Sequence, residues 1–320
     1  MSRRQETAGG WLHRYALLVT AATLGLIIAG GMVTSTDSGL AVPDWPLSYG
    51  MFFPPMVGGI FYEHGHRMIA GAVGLMTAAL AFWVSRREAR AWVRRLGWLA
   101  LGTVVVQALL GGITVIWLLP PVVSTSHLGT AMLFLAIVTL LATATSPSWH
   151  ATRPPPAAPT VELRHLALAT TGVVYLQILL GAAMRHTGAG LACPDFPLCN
   201  GRVLPDLADG AIALHMAHRV GALVVTALVF WLVERAWARY PDVPEIRRPA
   251  LAALGCVALQ ILLGALSVLS QLGAYTTTAH VLGGALLLCS LVVFTARTHR
   301  RAVRSSDAPA EVRHVSGAIA

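Results

Sequence analysis

Eight long apolar stretches, separated by short polar segments, run the length of this chain: roughly 14–34, 65–84, 96–117, 126–145, 164–184, 213–233, 249–270 and 277–296. A bilayer-spanning helix needs about 20 mostly apolar residues, so each stretch is long enough to cross. The Leu/Ala/Val/Gly runs lack the strict alternation that a membrane β-barrel strand requires. The pattern therefore predicts an all-α integral membrane protein with eight transmembrane helices. Composition agrees: 56% of residues are hydrophobic, 12% are charged and the mean hydropathy is +0.67, where soluble domains carry about 25% charged residues.

Charge adds an orientation. The net charge is +9, and all 23 basic residues are arginine. Arg86, Arg87, Arg90, Arg94 and Arg95 lie between spans two and three, Arg153 and Arg164 between four and five, and Arg235, Arg239, Arg247 and Arg248 between six and seven. Arg297, Arg300, Arg301 and Arg304 follow span eight. The alternate loops are poor in arginine, so the positive-inside rule predicts cytoplasmic termini, with residues 36–62 and 185–212 on the outer side. An excess distributed in this way describes membrane topology, and no nucleic-acid partner is expected. Met1-Ser2-Arg3-Arg4 leads into a full-length span, so no cleaved signal peptide is expected.

The same sequence pattern occurs twice. Gly39-Leu40-Ala41-Val42-Pro43-Asp44-Trp45-Pro46-Leu47-Ser48 returns as Gly190-Leu191-Ala192-Cys193-Pro194-Asp195-Phe196-Pro197-Leu198-Cys199. Gly30-Gly31-Met32 matches Gly181-Ala182-Ala183, and Glu63-His64-Gly65-His66-Arg67 matches His215-Met216-Ala217-His218-Arg219. Gln107-Ala108-Leu109-Leu110-Gly111-Gly112 matches Gln260-Ile261-Leu262-Leu263-Gly264-Ala265, and His127-Leu128-Gly129 matches His280-Val281-Leu282-Gly283. Four helices per copy is an even number, so both copies run the same way through the bilayer, as tandem parallel-repeat four-helix bundles. The expected organisation is an N-terminal half over 1–150, a Pro-rich cytoplasmic linker over 151–160 containing Pro154-Pro155-Pro156, and a C-terminal half over 161–320.

The repeat places four histidines at matching depth. His66 and His218 are expected in the first turn of helices two and six, and His127 and His280 in the first turn of helices four and eight, all near the outer face. Ionisable groups inside membrane helices are costly and face the bundle interior. Helices two and four of one bundle can face each other across its core, which suits two axial imidazoles on one haem iron. Zinc fits less well, because two histidines per half fall short of the three protein ligands of a catalytic zinc. Arg67 and Arg219 directly follow two of the histidines and are candidates for haem propionate binding, since guanidinium pairs with carboxylate bidentately. His13, His150, His165, His299 and His314 on the cytoplasmic side, and His64 and His186 on outer loops, have no matching constellation and are read as non-ligands.

Two differences between the copies carry chemistry. Three residues before its histidine the first half has Glu63 and the second has His215, and i, i+3 spacing puts each on its histidine's face. A carboxylate beside one haem can relay protons or polarise a bound substrate, which makes the first half the reactive one. The second difference is Cys193 and Cys199 against Val42 and Ser48. On an outward loop an oxidising compartment permits a disulfide; a C-x5-C pair could also bind metal, but no histidine lies between the two. Cys256 and Cys289 fall inside helices seven and eight and read as small buried hydrophobes.

These residues resemble the heme A synthase family, CtaA-type, over nearly the whole chain: Gly31-Met32-Val33-Thr34 with Ser38-Gly39-Leu40, Glu63-x-x-His66-Arg67, His127, the Cys193–Cys199 loop, His218-Arg219 and His280. The resemblance implies oxidation of the C8 methyl of haem O to a formyl group, through an alcohol and a hydrate that loses water, to give haem A for cytochrome c oxidase. It implies His66 and His127 as ligands of the substrate haem iron, Glu63 as the catalytic residue, and His218 and His280 as ligands of a permanent haem b. Some members of the family have a cysteine pair in the first outer loop as well; here Val42 and Ser48 stand in those places. The implied setting is a bacterial inner (cytoplasmic) membrane. The implied partners are the haem O synthase that supplies the substrate, cytochrome c oxidase assembly factors and an electron donor such as a quinol, with self-association left open.

Two other readings use the same features. A di-haem cytochrome b moving electrons from quinol needs the four histidines but not the difference between Glu63 and His215. A haem transporter or chaperone fits a parallel repeat, yet transporters place polar groups near the bilayer midplane, where this chain has only Gln107, Gln177 and Gln260.

Overall fold

The computed structural model describes residues 3–150 and 161–306; Met1, Ser2, Arg153, the Pro154-Pro155-Pro156 linker and His314 lie outside the described residues. Among the described residues every regular element is helical, and eight helices are long and apolar enough to cross a membrane. They are α1 (Arg3–Ser35), α2 (Gly59–Arg87), α3 (Ala91–Ile116), α4 (Pro121–Thr145), α5 (Val161–His186), α6 (Gly210–Arg239), α7 (Pro244–Leu269) and α8 (Ala274–Ser306). Local sequence sets several of their ends. Pro121 and Pro244 occupy the first helical position of α4 and α7, where the missing N–H costs no hydrogen bond. Asp209 caps α6, its carboxylate accepting from Ala211 N at 2.8 Å and so meeting one orphan donor of the first turn. Within the spans, Thr23, Thr77 and Thr143 return their hydroxyls to the carbonyl four residues earlier, which satisfies a polar group without water.

The helices α1 to α4 pack as a closed ring in chain order, α1 on α2, α2 on α3, α3 on α4 and α4 back on α1. The helices α5 to α8 close in the same order. The two rings meet through α1, α4, α5 and α8. Phe134, Leu135 and Leu141 of α4 and Leu288, Leu291 and Phe294 of α8 are fully buried in this seam. Close approach there depends on small residues: a Cβ on Gly129 would lie 2.7 Å from Leu179, and one on Gly31 would lie 3.0 Å from Thr278. Tyr175 of α5 donates to the Gly129 carbonyl at 3.1 Å, and Arg185 of α5 to the Thr34 carbonyl at 3.0 Å.

Helices begin earlier than the apolar runs predict. α2 starts at Gly59 rather than near 65, so His66 sits in its second turn and Glu63 and His64 are helical. Glu63 and His64, which interrupt the apolar run, are buried and hydrogen-bonded inside the protein, and the helix continues through them. The start of α6 at Gly210 likewise moves His218 beyond the first turn.

Candidate functional site

One end of the bundle carries the long connections 36–58 and 187–209, and both fold on the same polar scheme. The Asp44 carboxylate accepts from Tyr49 N at 2.6 Å and Gly50 N at 2.8 Å. Asp195 accepts from Asn200 N at 2.7 Å and Gly201 N at 2.8 Å. Antiparallel bridges follow at Ser48–Met51 and Cys199–Arg202, and Trp45–Pro46 and Phe196–Pro197 are both cis. The Gly50 amide is the largest influence holding the Asp44 carboxyl below its ordinary value, with desolvation opposing it and Tyr49 adding to it. The Gly201 amide does the same for Asp195.

An arginine from the following helix clamps each loop. Arg67 donates through Nη1 to the Asp44 and Leu47 carbonyls, both at 2.7 Å, and through Nη2 to the Val42 carbonyl at 3.3 Å. Arg219 donates to the carbonyls of Pro197, Leu198, Cys193 and Asp195. Both guanidiniums thus direct their Nη donors at loop carbonyls, a role that nothing in the sequence pattern marks.

The halves diverge at the positions singled out by sequence. Glu63 is 4% exposed; its Oε1 accepts from Arg67 Nη2 at 2.6 Å and its Oε2 from Val42 N at 2.8 Å. His215 is also buried, and its Nδ1 donates to the Ala189 carbonyl at 3.1 Å. Cys193 and Cys199 form a disulfide with an S–S distance of 2.01 Å, which removes the metal-binding alternative for that pair. In the first loop Val42 and Ser48 are fully buried, and Ser48 Oγ hydrogen-bonds His64 Nδ1 at 2.7 Å. Expected on outer loops, His64 and His186 instead lie within α2 and at the end of α5.

Each of the four repeated histidines rests against a glycine of a neighbouring helix. A Cβ on Gly30, Gly111, Gly181 or Gly264 would lie 3.0, 3.1, 2.8 or 3.1 Å from Cε1 of His66, His127, His218 or His280 respectively. His66, His127 and His280 each keep a buried Nδ1 without a hydrogen-bond partner. The His218 and His280 ring centroids are 6.5 Å apart with planes at 78°. A metal–imidazole bond of about 2 Å, plus about 1 Å from nitrogen to ring centre, places the centroids of two axial ligands roughly 6 Å apart. The α6–α8 pair therefore fits a metal held between two imidazoles. Among the described residues no three His, Cys, Asp or Glu side chains group to hold a metal ion.

Gln107, Gln177 and Gln260, polar residues near the bilayer midplane, each lie beside the histidines. Gln107 Nε2 lies 3.2 Å from His127 Nε2, and Gln177 Nε2 lies 3.0 Å from His218 Nδ1 while donating to the His218 carbonyl at 2.7 Å. Gln260 packs against Gly283 and Gly284 of α8, a turn beyond His280. The available signal was the spacing Gln-x-x-x-Gly, found at 107–111, 177–181 and 260–264. It stacks an amide one turn from the glycine that touches a histidine. At the opposite end His13 Nδ1 of α1 donates to the Ala142 carbonyl of α4, and His299 Nδ1 to the Thr295 carbonyl one turn earlier in α8.

The chain matches the family model described as cytochrome oxidase assembly protein (COX15-CtaA) over residues 13–59 and 56–292. It is 35% identical to the heme A synthase of Symbiobacterium thermophilum over 84% of this chain and 89% of the relative. Identity is 30% to the heme A synthase of Geobacillus kaustophilus, over 92% and 95% of the two chains. It is 28% to that of Lysinibacillus sphaericus, over 90% and 96%. A multi-pass bundle with paired histidines at one end, joined to these matches, places the chain in the COX15-CtaA family of cytochrome oxidase assembly proteins, the family of the heme A synthases.

Proposed function

We propose that this protein is a heme A synthase, a membrane oxidoreductase that converts the C8 methyl of haem O to a formyl group. The product is haem A for cytochrome c oxidase. The observation that carries the assignment of roles is the largely buried Glu63–Arg67 pair, on the helix of His66, where the second half has a hydrogen bond from His215 to the Ala189 carbonyl instead. The proposed organisation is two units, 1–150 and 161–320, joined by 151–160. The first holds the substrate haem O between His66 and His127, and the second holds haem b between His218 and His280. Bound haem b supplies one-electron transfer.

Glu63 accepts hydrogen bonds at both carboxylate oxygens, which would hold it in place to take up the protons released while an external oxidant removes the four electrons that separate the methyl from the aldehyde. Arg67 keeps that carboxylate in place; with its Nη donors, like those of Arg219, held by the loops, each guanidinium would act on the haem carboxylates through its charge rather than by bidentate pairing. The four glycines allow the imidazoles to lie close against neighbouring helices, and the Gln-x-x-x-Gly amides fix ring orientation. The arginine-rich loops set the histidine end toward the outer face and both termini toward the cytoplasm. Proposed partners are the haem O synthase, the oxidase assembly machinery and a quinol-type electron donor.

The test is mass spectrometry of haems extracted from the purified protein after co-expression with a haem O source. Haem A or its alcohol precursor beside haem b supports the proposal. Haem b alone, with haem O neither bound nor altered, would support an electron-transfer cytochrome instead.

A further inference from the structure

We infer that Arg185 and His186, the last two residues of α5, form the carboxylate-binding rim of the first-half haem site, a role that rests on the reading of that site as the substrate site. The second half thereby supplies the group that orients haem O between His66 and His127. The two carboxylates carry the negative charge of haem O, and charge is costly in the apolar interior of a membrane bundle. With the iron between histidines that lie near the loop end of the bundle, the carboxylates face that end. Arg67 already directs its Nη donors to Asp44, Leu47, Val42 and Glu63, so direct pairing with a carboxylate calls for another donor.

Packing puts Arg185 and His186 over that site. Tyr175 of α5 donates to the Gly129 carbonyl of α4 at 3.1 Å, and a Cβ on Gly129 would lie 2.7 Å from Leu179. At about 1.5 Å per residue, His186 lies roughly 10 Å beyond Leu179 toward the loop end, past the level of His127. His186 is partly buried and within electrostatic reach of His127. Arg185 reaches the side of the other histidine. Its Nη2 donates to the Thr34 carbonyl at 3.0 Å, and Thr34 stands one turn beyond Gly30, the glycine that rests against His66. The two neighbouring residues therefore span the rim from the His66 side to the His127 side.

Arg185 has donors to offer there. Its Nε is buried without a hydrogen-bond partner. Its Nη2 lies 3.6 Å from Asp37 Oδ1, but the Asp37 side chain is 91% exposed and water screens such a pair. Bracing the halves through Thr34 accounts for Nη2 alone, whereas a carboxylate is the acceptor that matches a buried guanidinium N–H. The His186 ring adds a further N–H donor. The repeat supports the placement. Ser35 of α1 accepts from Thr278 Oγ1 of α8 at 3.4 Å, and Thr278 comes two residues before His280. The corresponding pair is His186 and Thr125, two residues before His127. Each half thus closes the site of the other, but α1 offers the uncharged Thr34 and Ser35 where α5 offers Arg185 and His186.

The experiment uses the full-length protein, expressed without a haem O source, retaining haem b and held in detergent. It is titrated with haem O and with haem O dimethyl ester, whose carboxylates carry no charge, and binding is read by visible absorbance. Haem b content and the thermal unfolding midpoint are measured in parallel. The wild type is expected to bind haem O roughly tenfold more tightly than the ester. Arg185→Gln is expected to weaken haem O binding to the level of the ester, and His186→Leu by a smaller factor. Ester affinity, haem b content and the unfolding midpoint are expected to stay at wild-type values in both. Arg185→Lys, which keeps the charge without the planar fork, is expected to retain an intermediate preference. Equal wild-type affinity for haem O and its ester would overturn the rim while leaving the substrate site in place. So would an Arg185→Gln variant that keeps the full preference, or one that loses both ligands equally. Haem O binding that persists in His127→Ala would overturn the substrate-site reading and the rim with it.

Discussion

Glu63 and Arg67 form a buried ion pair one helical turn apart, with Arg67 Nη2 donating to Glu63 Oε1 at 2.6 Å and the other carboxylate oxygen taken by the Val42 amide. The pair connects the loop fold to the site chemistry, because the same guanidinium clamps the loop carbonyls of Asp44 and Leu47. Glu63→Gln keeps the shape and an acceptor for Val42 but removes the charge. The variant is expected to fold and hold both haems while conversion of haem O falls by about 10²-fold or more, the scale of a lost acid–base group. Parallel measurement of haem content and product would reveal this; loss of haem together with conversion would make Glu63 a structural residue.

The glycine behind each histidine is a steric requirement. Gly181→Ala places a methyl 2.8 Å from His218 Cε1, closer than a carbon contact allows, whereas Gly172→Ala on the same helix meets nothing within 4 Å. Gly172→Ala is expected to be neutral or to stabilise by up to about 1 kcal/mol. Gly181→Ala is expected to shift or deplete the b-type absorbance. Visible spectra of the two variants at equal protein concentration distinguish them, and an unchanged spectrum for Gly181→Ala would contradict the cradle.

Much of this arrangement was legible in the sequence, for stated reasons. Eight apolar runs gave eight spans because a bilayer demands length and hydrophobicity that few other contexts do. The repeat-matched histidines, Glu63 and the cysteine pair were found because each stands out chemically in an apolar chain. What the sequence hid was direction. The Nη groups of Arg67 and Arg219 serve loop carbonyls that no periodicity reveals. His64 read as a loop residue because Glu63, His64 and His66 interrupt the apolar run that marks a helix. Gln107 and Gln177 were visible as polar residues, but their contacts with His127 and His218 depend on how four helices close into a ring.

The two loops differ in how they are tied, covalently at Cys193–Cys199 and through Ser48–His64 in the first half. Because the Asp turn, the bridge and the arginine clamp coincide in the two loops, the double variant Val42→Cys/Ser48→Cys is expected to form a disulfide across the first loop. Intact-mass measurement before and after thiol alkylation checks it. Free, fully alkylated thiols at both positions under oxidising conditions would show that the loop geometries differ more than their hydrogen bonds imply.

Acid should loosen the first loop before the second. The Asp44 carboxyl lies below its ordinary value of 3.8, chiefly through the Gly50 amide. Its folded-state stabilisation is therefore present above the unfolded value and is lost as pH falls through the lower, folded one. Hydrogen exchange at the Tyr49 and Gly50 amides is expected to stay slow, after correction for intrinsic rates, from neutral pH to about 4 and to quicken below that. The disulfide should keep the Asn200 and Gly201 amides protected longer. Asp44→Asn is expected to remove the acid dependence in the first loop, and a persisting transition in that variant would assign it to another group.

The division of labour between the two histidine pairs is tested most directly by the haem inventory of four single variants, each purified after co-expression with a haem O source. His218→Ala and His280→Ala are expected to lose haem b, and His66→Ala and His127→Ala to retain haem b while losing haem O, its alcohol and haem A. Loss of haem b from His66→Ala or His127→Ala, with haem b kept in His218→Ala and His280→Ala, would contradict the assignment of the first half to substrate.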